Sequence, residues 1–267
     1  MQAIFVGGTG RSGTTVIGQF LGQHPTVVAT LPKEVRFITD PGGLIELVEE
    51  PDPASLERFL ALLRGRWWNR TGPDGAARGL HRGIDIETLE AAATRFEQAF
   101  SDDPREAAEQ LIRDLIDPLG RGGDAWVETT PDNVTAASSL RKLIPSMKLI
   151  WIRRDGRDTV ASVLSQPWGP STVAEAIQWW KQRNDLAEAE TAQVPAEQFL
   201  ALSLEALVRD QRDDTYHRLL AFAGVEDHPA VRRFFDEEMT PSAAGIGRWE
   251  TLERRDRAAL VHFFGPD

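Results

Sequence analysis

Apolar and polar positions along the chain follow two rhythms. Residues 3–6, Ala-Ile-Phe-Val, are a short unbroken apolar run ending in Gly7-Gly8, the pattern of a strand buried on both faces. From Thr14 to Gln23 the apolar residues Val16, Ile17, Phe20 and Leu21 recur at helical spacing, and His24-Pro25 ends the helix. Val27-Val28-Ala29 returns to a strand run. Strand, glycine-rich loop, helix and strand together make a βαβ unit.

Between about 44 and 120 the helical period dominates, with segments at 44–50, 54–65, 86–100 and 104–117. A polar, turn-rich break at 67–75, Trp-Trp-Asn-Arg-Thr-Gly-Pro-Asp-Gly, separates the second from the third. This block interrupts the strand rhythm and predicts a helical insertion, a candidate lid. The strand rhythm resumes at Ala125-Trp126-Val127-Glu128, and Thr130-Pro131-Asp132 starts a helix with proline in its first turn. Lys148 to Arg153 is the clearest strand in the chain. Helices at about 158–164 and 171–190, a strand at 199–203 and a charged helical tail at 205–263 complete the pattern. The expectation is one domain over residues 1–267. Its fold is three-layer α/β, with a central parallel sheet of about five strands, helices on both faces and a phosphate-loop-like first crossover.

Composition narrows the function classes. The 267 residues are 41% hydrophobic and 27% charged, a globular balance. There is no cysteine, which excludes disulfides, thiol catalysis and cysteine-based metal sites. The five histidines, at 24, 81, 217, 228 and 262, lack metal-ligand spacing, so no metal is expected. A net charge of −11 argues against nucleic acid or anionic membrane as a partner. No apolar run reaches the length of a membrane span, and the glycine loop from residue 7 leaves no room for a signal peptide. A cytoplasmic protein is expected. In so acidic a chain, local basic clusters stand out: the arginine of Gly-Arg-Ser-Gly at 10–13 and Arg-Arg-Asp-Gly-Arg at 153–157.

Residues 8–15, Gly-Thr-Gly-Arg-Ser-Gly-Thr-Thr, keep the frame of a phosphate loop but place Thr14 where the lysine belongs. Successive backbone N–H groups in such a loop cradle an anion at a helix N-terminus. The lysine neutralises a terminal phosphoryl group, with Mg²⁺ taking more of the charge. A sulfuryl group carries less charge, and Arg11 with the loop hydroxyls suits it without a metal. The second cluster follows the strand at 148–153, where open α/β sheets bind ligands. Arg154 and Ser162, eight residues apart across the strand end and the next helix, are both placed to reach one phosphate.

The stretches Val-Gly-Gly-Thr-Gly-Arg-Ser-Gly-Thr-Thr and Leu-Ile-Trp-Ile-Arg-Arg-Asp-Gly-Arg-Asp-Thr-Val-Ala-Ser resemble the two motifs of sulfotransferases that use 3′-phosphoadenosine 5′-phosphosulfate (PAPS). Ile246-Gly247-Arg248-Trp249 is similar to the C-terminal segment that closes over the 3′-phosphate and adenine in that family. The N-terminal stretch looks closest to protein-tyrosine sulfotransferases and their bacterial relatives. The resemblance implies that Arg11, Ser12, Gly13, Thr14 and Thr15 hold the 5′-phosphosulfate. It implies that Arg154, Ser162 and Arg248 hold the 3′-phosphate, with Trp249 near the adenine. The implied product is adenosine 3′,5′-bisphosphate, and the implied acceptor is a hydroxyl on a small molecule or peptide.

In the tyrosylprotein branch a glutamate follows the second strand in a Glu-x-Arg setting. Lys33-Glu34-Val35-Arg36 occupies that place with a slightly longer spacer, so the resemblance makes Glu34 the candidate catalytic base and Arg11 its electrophilic partner. Glu128, His24 and His81 remain alternatives for the base. Relatives often carry a lysine in the stretch matching Glu128 to Pro131; here Thr129 and Thr130 stand there, leaving Arg11 alone, Lys33 or hydroxyl donors for its work. One tryptophan of each pair, Trp67-Trp68 and Trp179-Trp180, is expected in the core, the other facing a cleft. Two other readings compete: a nucleotide-dependent phosphotransferase with a variant loop, and a nucleotide-binding module without chemistry.

Overall fold

A computed structural model describes residues 1–120 and 123–266. Five strands form one sheet: β1 (Gln2–Gly7), β2 (Val27–Ala29), β3 (Ala125–Glu128), β4 (Lys148–Arg153) and β5 (Phe199–Ser203), in the order β2-β3-β1-β4-β5. Every pairing is parallel, with Phe5 beside Glu128 on one side and Leu149 on the other. The apolar runs account for this, because alternate residues of β1 enter different cores. Ala3 and Phe5 pack on one face, Ile4 and Val6 on the other.

Helices α1 (Thr14–Leu21), α2 (Leu44–Glu49), α3 (Pro53–Leu62), α4 (Ile86–Phe100) and α5 (Pro104–Gly120) precede β3. Helix α6 (Ala137–Leu143) follows it, with a short 3-10 turn at Pro131–Val134 where the sequence predicts the start of the helix. Then come α7 (Gly156–Leu164), α8 (Val173–Thr191), α9 (Arg212–Ala223), α10 (Pro229–Glu238), α11 (Pro241–Ala244) and α12 (Arg254–Phe264). Residues of α2 to α6 join Phe5, Trp126, Leu149 and Trp151 in the core of one face. The block at 44–120 is thus largely a helical layer on the sheet. Only the loop beyond α3 turns toward the carboxyl ends of the strands. On the other face α1, α9 and α10 cover Ile4, Val127 and Ile152. Among the described residues, no helix is long and apolar enough to cross a membrane.

Strands β1 and β4 are neighbours whose connections leave in opposite directions, β1 toward β2 and β4 toward β5. That topological switch opens a crevice at the carboxyl ends of both strands. The loop is held close to the sheet by small residues. A Cβ at Gly18 of α1 would lie 2.3 Å from Thr129 Cγ2. Gly18→Ala is expected to cost about 1–3 kcal/mol through overpacking. Thr129→Ser, which removes the methyl and keeps the hydroxyl, is expected to restore most of it, and thermal melts of both single variants and the double variant measure this.

Candidate active site

The residues after β1 form a tight loop. Gly10 and Gly13 take φ of 88° and 101°, and Arg11 itself sits at φ 58°. A non-glycine residue in this region is strained by about 1–3 kcal/mol and persists only where its neighbours hold it. Arg154 does so, donating from Nη1 to the Arg11 carbonyl at 3.0 Å and from Nη2 to the Gly245 carbonyl at 2.6 Å. The loop from β1, the arginine after β4 and the C-terminal segment are thereby tied together.

Two arginines reach one buried hydroxyl, and a third stands beside them. Arg11 Nε donates to Ser162 Oγ at 3.2 Å, and Arg248 Nη1 approaches the same oxygen at 3.5 Å. Arg154 is coupled to both, and its nearest carboxylate is Asp158 at 3.8 Å. Asp158 is itself committed, accepting from the backbone N–H groups of Gly247 and Trp249 at 2.8 and 3.0 Å. Desolvation lowers the pKa of Arg11 and of Arg154, and the neighbouring arginines push the same way, although Asp158 and Glu205 oppose them at Arg154. Like charges packed this way are stabilised by a multivalent anion. Two buried donors, Ser12 Oγ and Arg154 Nε, have no partner among the described residues. Such unsatisfied groups are costly unless a ligand takes them.

Beside this cluster lies a cavity of about 1020 Å³. Thr9 to Thr15 border it, except Ser12, which is buried beneath the loop with its Oγ 2.1 Å from where a Gly8 Cβ would be. One wall is apolar, made by Val16, Leu204, Val208, Phe234 and Met239. Glu34, Arg36, Asp132, Trp168, Trp179 and Arg183 also line the cavity, together with Arg70 and Arg78.

Glu34 is therefore at the cavity. Arg36 Nε and Nη2 donate to its Oε2 at 2.9 and 2.7 Å, and Arg70 Nη1 lies 3.4 Å from the same oxygen. Oε1 has no hydrogen-bond partner among the described residues. Arg36, at φ 65°, also pairs with the buried Asp40 at 3.2 Å. Burial acts to lower the Arg36 pKa, and the Glu34 and Asp40 carboxylates more than offset it, so the net shift is upward. Arg70 also donates to the Glu34 carbonyl at 3.1 Å, so the turn-rich break at 67–75 reaches the site.

The alternatives for the base lie elsewhere. Glu128 is buried and does not line the cavity. It accepts from Val35 N, Thr130 N and Asn133 Nδ2 at 2.9, 2.8 and 2.7 Å, and from the Thr130 hydroxyl. Burial raises its pKa, against the pull of those donors. Its bond to Val35 N fixes the backbone next to Glu34, so Glu128 positions the loop that carries Glu34. Glu128→Ala is expected to cost about 3 kcal/mol by stranding buried donors, read as a lower denaturant midpoint. His24 hydrogen-bonds Thr26 behind α1, and His81 meets the Trp68 carbonyl at 2.6 Å; neither borders the cavity. Lys33 is exposed, with Arg82 near it, and does not line the cavity either.

The expected division of the tryptophan pairs holds for Trp179-Trp180 and not for Trp67-Trp68, because Trp68 packs against the core and His81 and does not line the cavity. Trp67 is buried and donates to Asp40 at 3.3 Å, whereas Trp179 faces the cavity and Trp180 packs on Phe264 at 4.9 Å between centroids. Trp249, expected near an adenine, does not line the cavity. Its ring lies 4.8 Å from the Arg157 guanidinium and packs with α7, α8 and α12. Arg70 and Arg183, by contrast, were not singled out by any motif. Among the described residues no group of three or more His, Asp and Glu side chains is placed to hold a metal ion.

The chain is similar to known proteins in sequence and in fold. The chain is 23% identical over 92% of its length to protein-tyrosine sulfotransferase 2 of Gallus gallus, and 25% identical over 92% to protein-tyrosine sulfotransferase 1 of Danio rerio. It spans only 57% and 59% of those two proteins. The sulfotransferase domain of the Synechococcus PCC 7002 olefin synthase has the same fold, with a TM-score of 0.56, 18% identity, and coverage of 100% of this chain and 94% of that one. A sulfotransferase domain from the curacin biosynthetic pathway matches with a TM-score of 0.55 and 13% identity over 100% of this chain and 98% of that one. The model of the sulfotransferase family matches residues 3–229, which include the loop at 8–15, Glu34, Arg154 and Ser162, and the chain belongs to that family.

Proposed function

We propose that the protein transfers a sulfuryl group from PAPS to an acceptor hydroxyl. The observation that carries this reading is the meeting of Arg11 and Arg248 on Ser162, with Arg154 beside them and its buried Nε unpartnered among the described residues. The site offers charge and donors at two points, the loop and the Arg154 cluster, as an anion phosphorylated at 3′ and 5′ requires.

When bound, the donor supplies the activated sulfuryl group. The loop backbone with Arg11, Ser12, Gly13, Thr14 and Thr15 would hold its 5′-phosphosulfate. Arg154, Ser162 and Arg248 would hold the 3′-phosphate, and the apolar wall of Leu204, Val208, Phe234 and Met239 suits the adenine. Glu34 takes the acceptor proton through Oε1, while Arg36 and Arg70 hold Oε2 and with it the carboxylate's orientation. The acceptor enters between Trp168 and Trp179 on one side and the 70–78 loop on the other. The tyrosine in the names of the curated relatives is one acceptor of this class.

Calorimetry with adenosine 3′,5′-bisphosphate in EDTA is expected to show tight binding, with ATP and Mg-ATP much weaker. Mg-ATP binding without bisphosphate binding would sink the reading in favour of a phosphotransferase. Bisphosphate binding without turnover of PAPS on a panel of phenols, sugars and tyrosyl peptides would leave a binding module instead.

A further inference from the structure

We propose that Arg183 of α8 is a catalytic residue that supplies positive charge where the bond to the donor's leaving phosphate oxygen breaks. This rests on the sulfuryl-transfer reading above. The first observation is what surrounds the start of the loop. Thr129 and Thr130 are buried and spent, the Thr129 hydroxyl on the Lys33 carbonyl at 3.0 Å and the Thr130 hydroxyl on Glu128. Neither borders the cavity, and nor does Lys33. No charge reaches the site from that stretch.

Arg183 comes from the opposite direction. Its Nε donates to the Thr9 carbonyl at 2.8 Å, and its Nη2 pairs with Asp132, which also borders the cavity. Trp179, one helical turn earlier on the same face, lies under the guanidinium at 5.5 Å from its ring centroid. The same indole fills the space above Gly10, where an added Cβ would be 3.4 Å from it. The guanidinium is thus fixed on three sides by loop, carboxylate and ring. Nη1 has no partner among the described residues, and the side chain lines the cavity beside Thr9, Gly10 and Arg11. A rigid fork with one free nitrogen beside an anion loop is a preorganised donor.

The chemistry balances without another reactant. The acceptor oxygen forms the new bond to sulfur, its proton passes to Glu34, and the old bond's electron pair stays on the 5′-phosphate oxygen. Negative charge grows on that oxygen, and a fixed N–H donor stabilises the charge only as it develops.

The test compares wild type, Arg183→Ala and Arg183→Lys, with PAPS and a non-ionising alcohol acceptor. Arg183→Ala is expected to lower kcat about 100-fold, as loss of an oxyanion donor does. Calorimetry should find bisphosphate affinity within about threefold, since one donor among several is lost to a product that the other arginines hold. Arg183→Lys should recover much of the rate at neutral pH. It should then lose it as pH rises toward the ordinary lysine pKa of about 10.4, where the wild-type arginine keeps its charge. Unchanged kcat in Arg183→Ala overturns the proposal. So does a fall in bisphosphate affinity matching the fall in kcat, with a lysine variant that neither recovers nor titrates, which would mark Arg183 as a structural prop for Thr9. Should the alanine variant fail to fold, the pH profile of the lysine variant decides alone. Absence of wild-type turnover is a separate result that removes the parent reading, and the role with it.

Discussion

Arg154→Ala is expected to weaken adenosine 3′,5′-bisphosphate by two to three orders of magnitude while changing adenosine 5′-monophosphate by less than about tenfold. Hydrogen bonds to charged groups contribute about 1.5–3 kcal/mol each, and a guanidinium on a phosphate makes two in parallel. A loss of about 3–4 kcal/mol follows, and each 1.4 kcal/mol is tenfold in affinity. The side chain is almost wholly withdrawn from solvent, at 6% exposure, so salt screens the interaction little. The residual loss for the monophosphate has a separate origin. Arg154 also braces the Arg11 carbonyl, and without that brace the strained loop loosens around any 5′-phosphate. Calorimetry with the two nucleotides separates the effects. An equal loss for both would mean that Arg154 serves the loop and not the 3′-phosphate.

The sheet was legible because its strands are short apolar runs that need no partner to be recognised, and all five lie where the runs place them. The glycine loop was legible for a similar reason: strand, loop and helix are contiguous. Arg154 and Ser162 stand out together in the sequence because both lie on one strand-loop-helix segment. Arg183 does not. Its partner Thr9 is 174 residues away, and on α8 it reads as one more charge on a solvated face. Arg70 reads as one of several arginines at 64, 66, 70, 78 and 82 that an anionic acceptor could meet, and only the fold joins it to the Glu34 carboxylate 36 residues away. Glu128 misled in the opposite sense. A carboxylate ending a strand at the catalytic edge looks like a base, and only the four donors around it show that it is consumed by the fold. Trp249 was placed from resemblance; the residue does close on α7, but through its backbone N–H to Asp158 and its ring against Arg157.

These long-range contacts share a physical logic. Arg36, Arg70 and Arg78, the arginines on the acceptor side, are each paired with a carboxylate: Glu34 or Asp40, Glu34 and Asp74 respectively. Of Arg11, Arg154 and Arg248 on the nucleotide side, Arg154 alone forms an ion pair among the described residues, with Asp158 at 3.8 Å. The cavity is therefore nearly charge-balanced where a neutral hydroxyl must enter and strongly positive where a multiply charged nucleotide must stay. Sequence shows the total of −11 and not this division, because the division depends on which carboxylates fold onto which arginines.

Glu34→Gln is expected to slow transfer by about 10³–10⁴-fold, toward the upper end of what general-base catalysis contributes, and to leave bisphosphate affinity within about threefold. The amide is the same size and keeps an oxygen for Arg36, so the loop at 33–36, which Glu128 anchors through Val35 N, has no reason to move. What is lost is the capacity of Oε1 to accept a proton. The acceptor hydroxyl then attacks without deprotonation, which an alcohol does poorly. The size of the effect should depend on the acceptor. Acidic phenols, which need little help to lose a proton, should be slowed least by the substitution, and alkyl alcohols most. That dependence separates a base from a residue that merely holds Arg36, because a positioning role would slow every acceptor alike. Single-turnover rates of the variant on a series of phenols of falling pKa measure it. A uniform decrease across the series, or unchanged turnover, would move the base role away from Glu34 and leave the carboxylate as an anchor for Arg36 and Arg70.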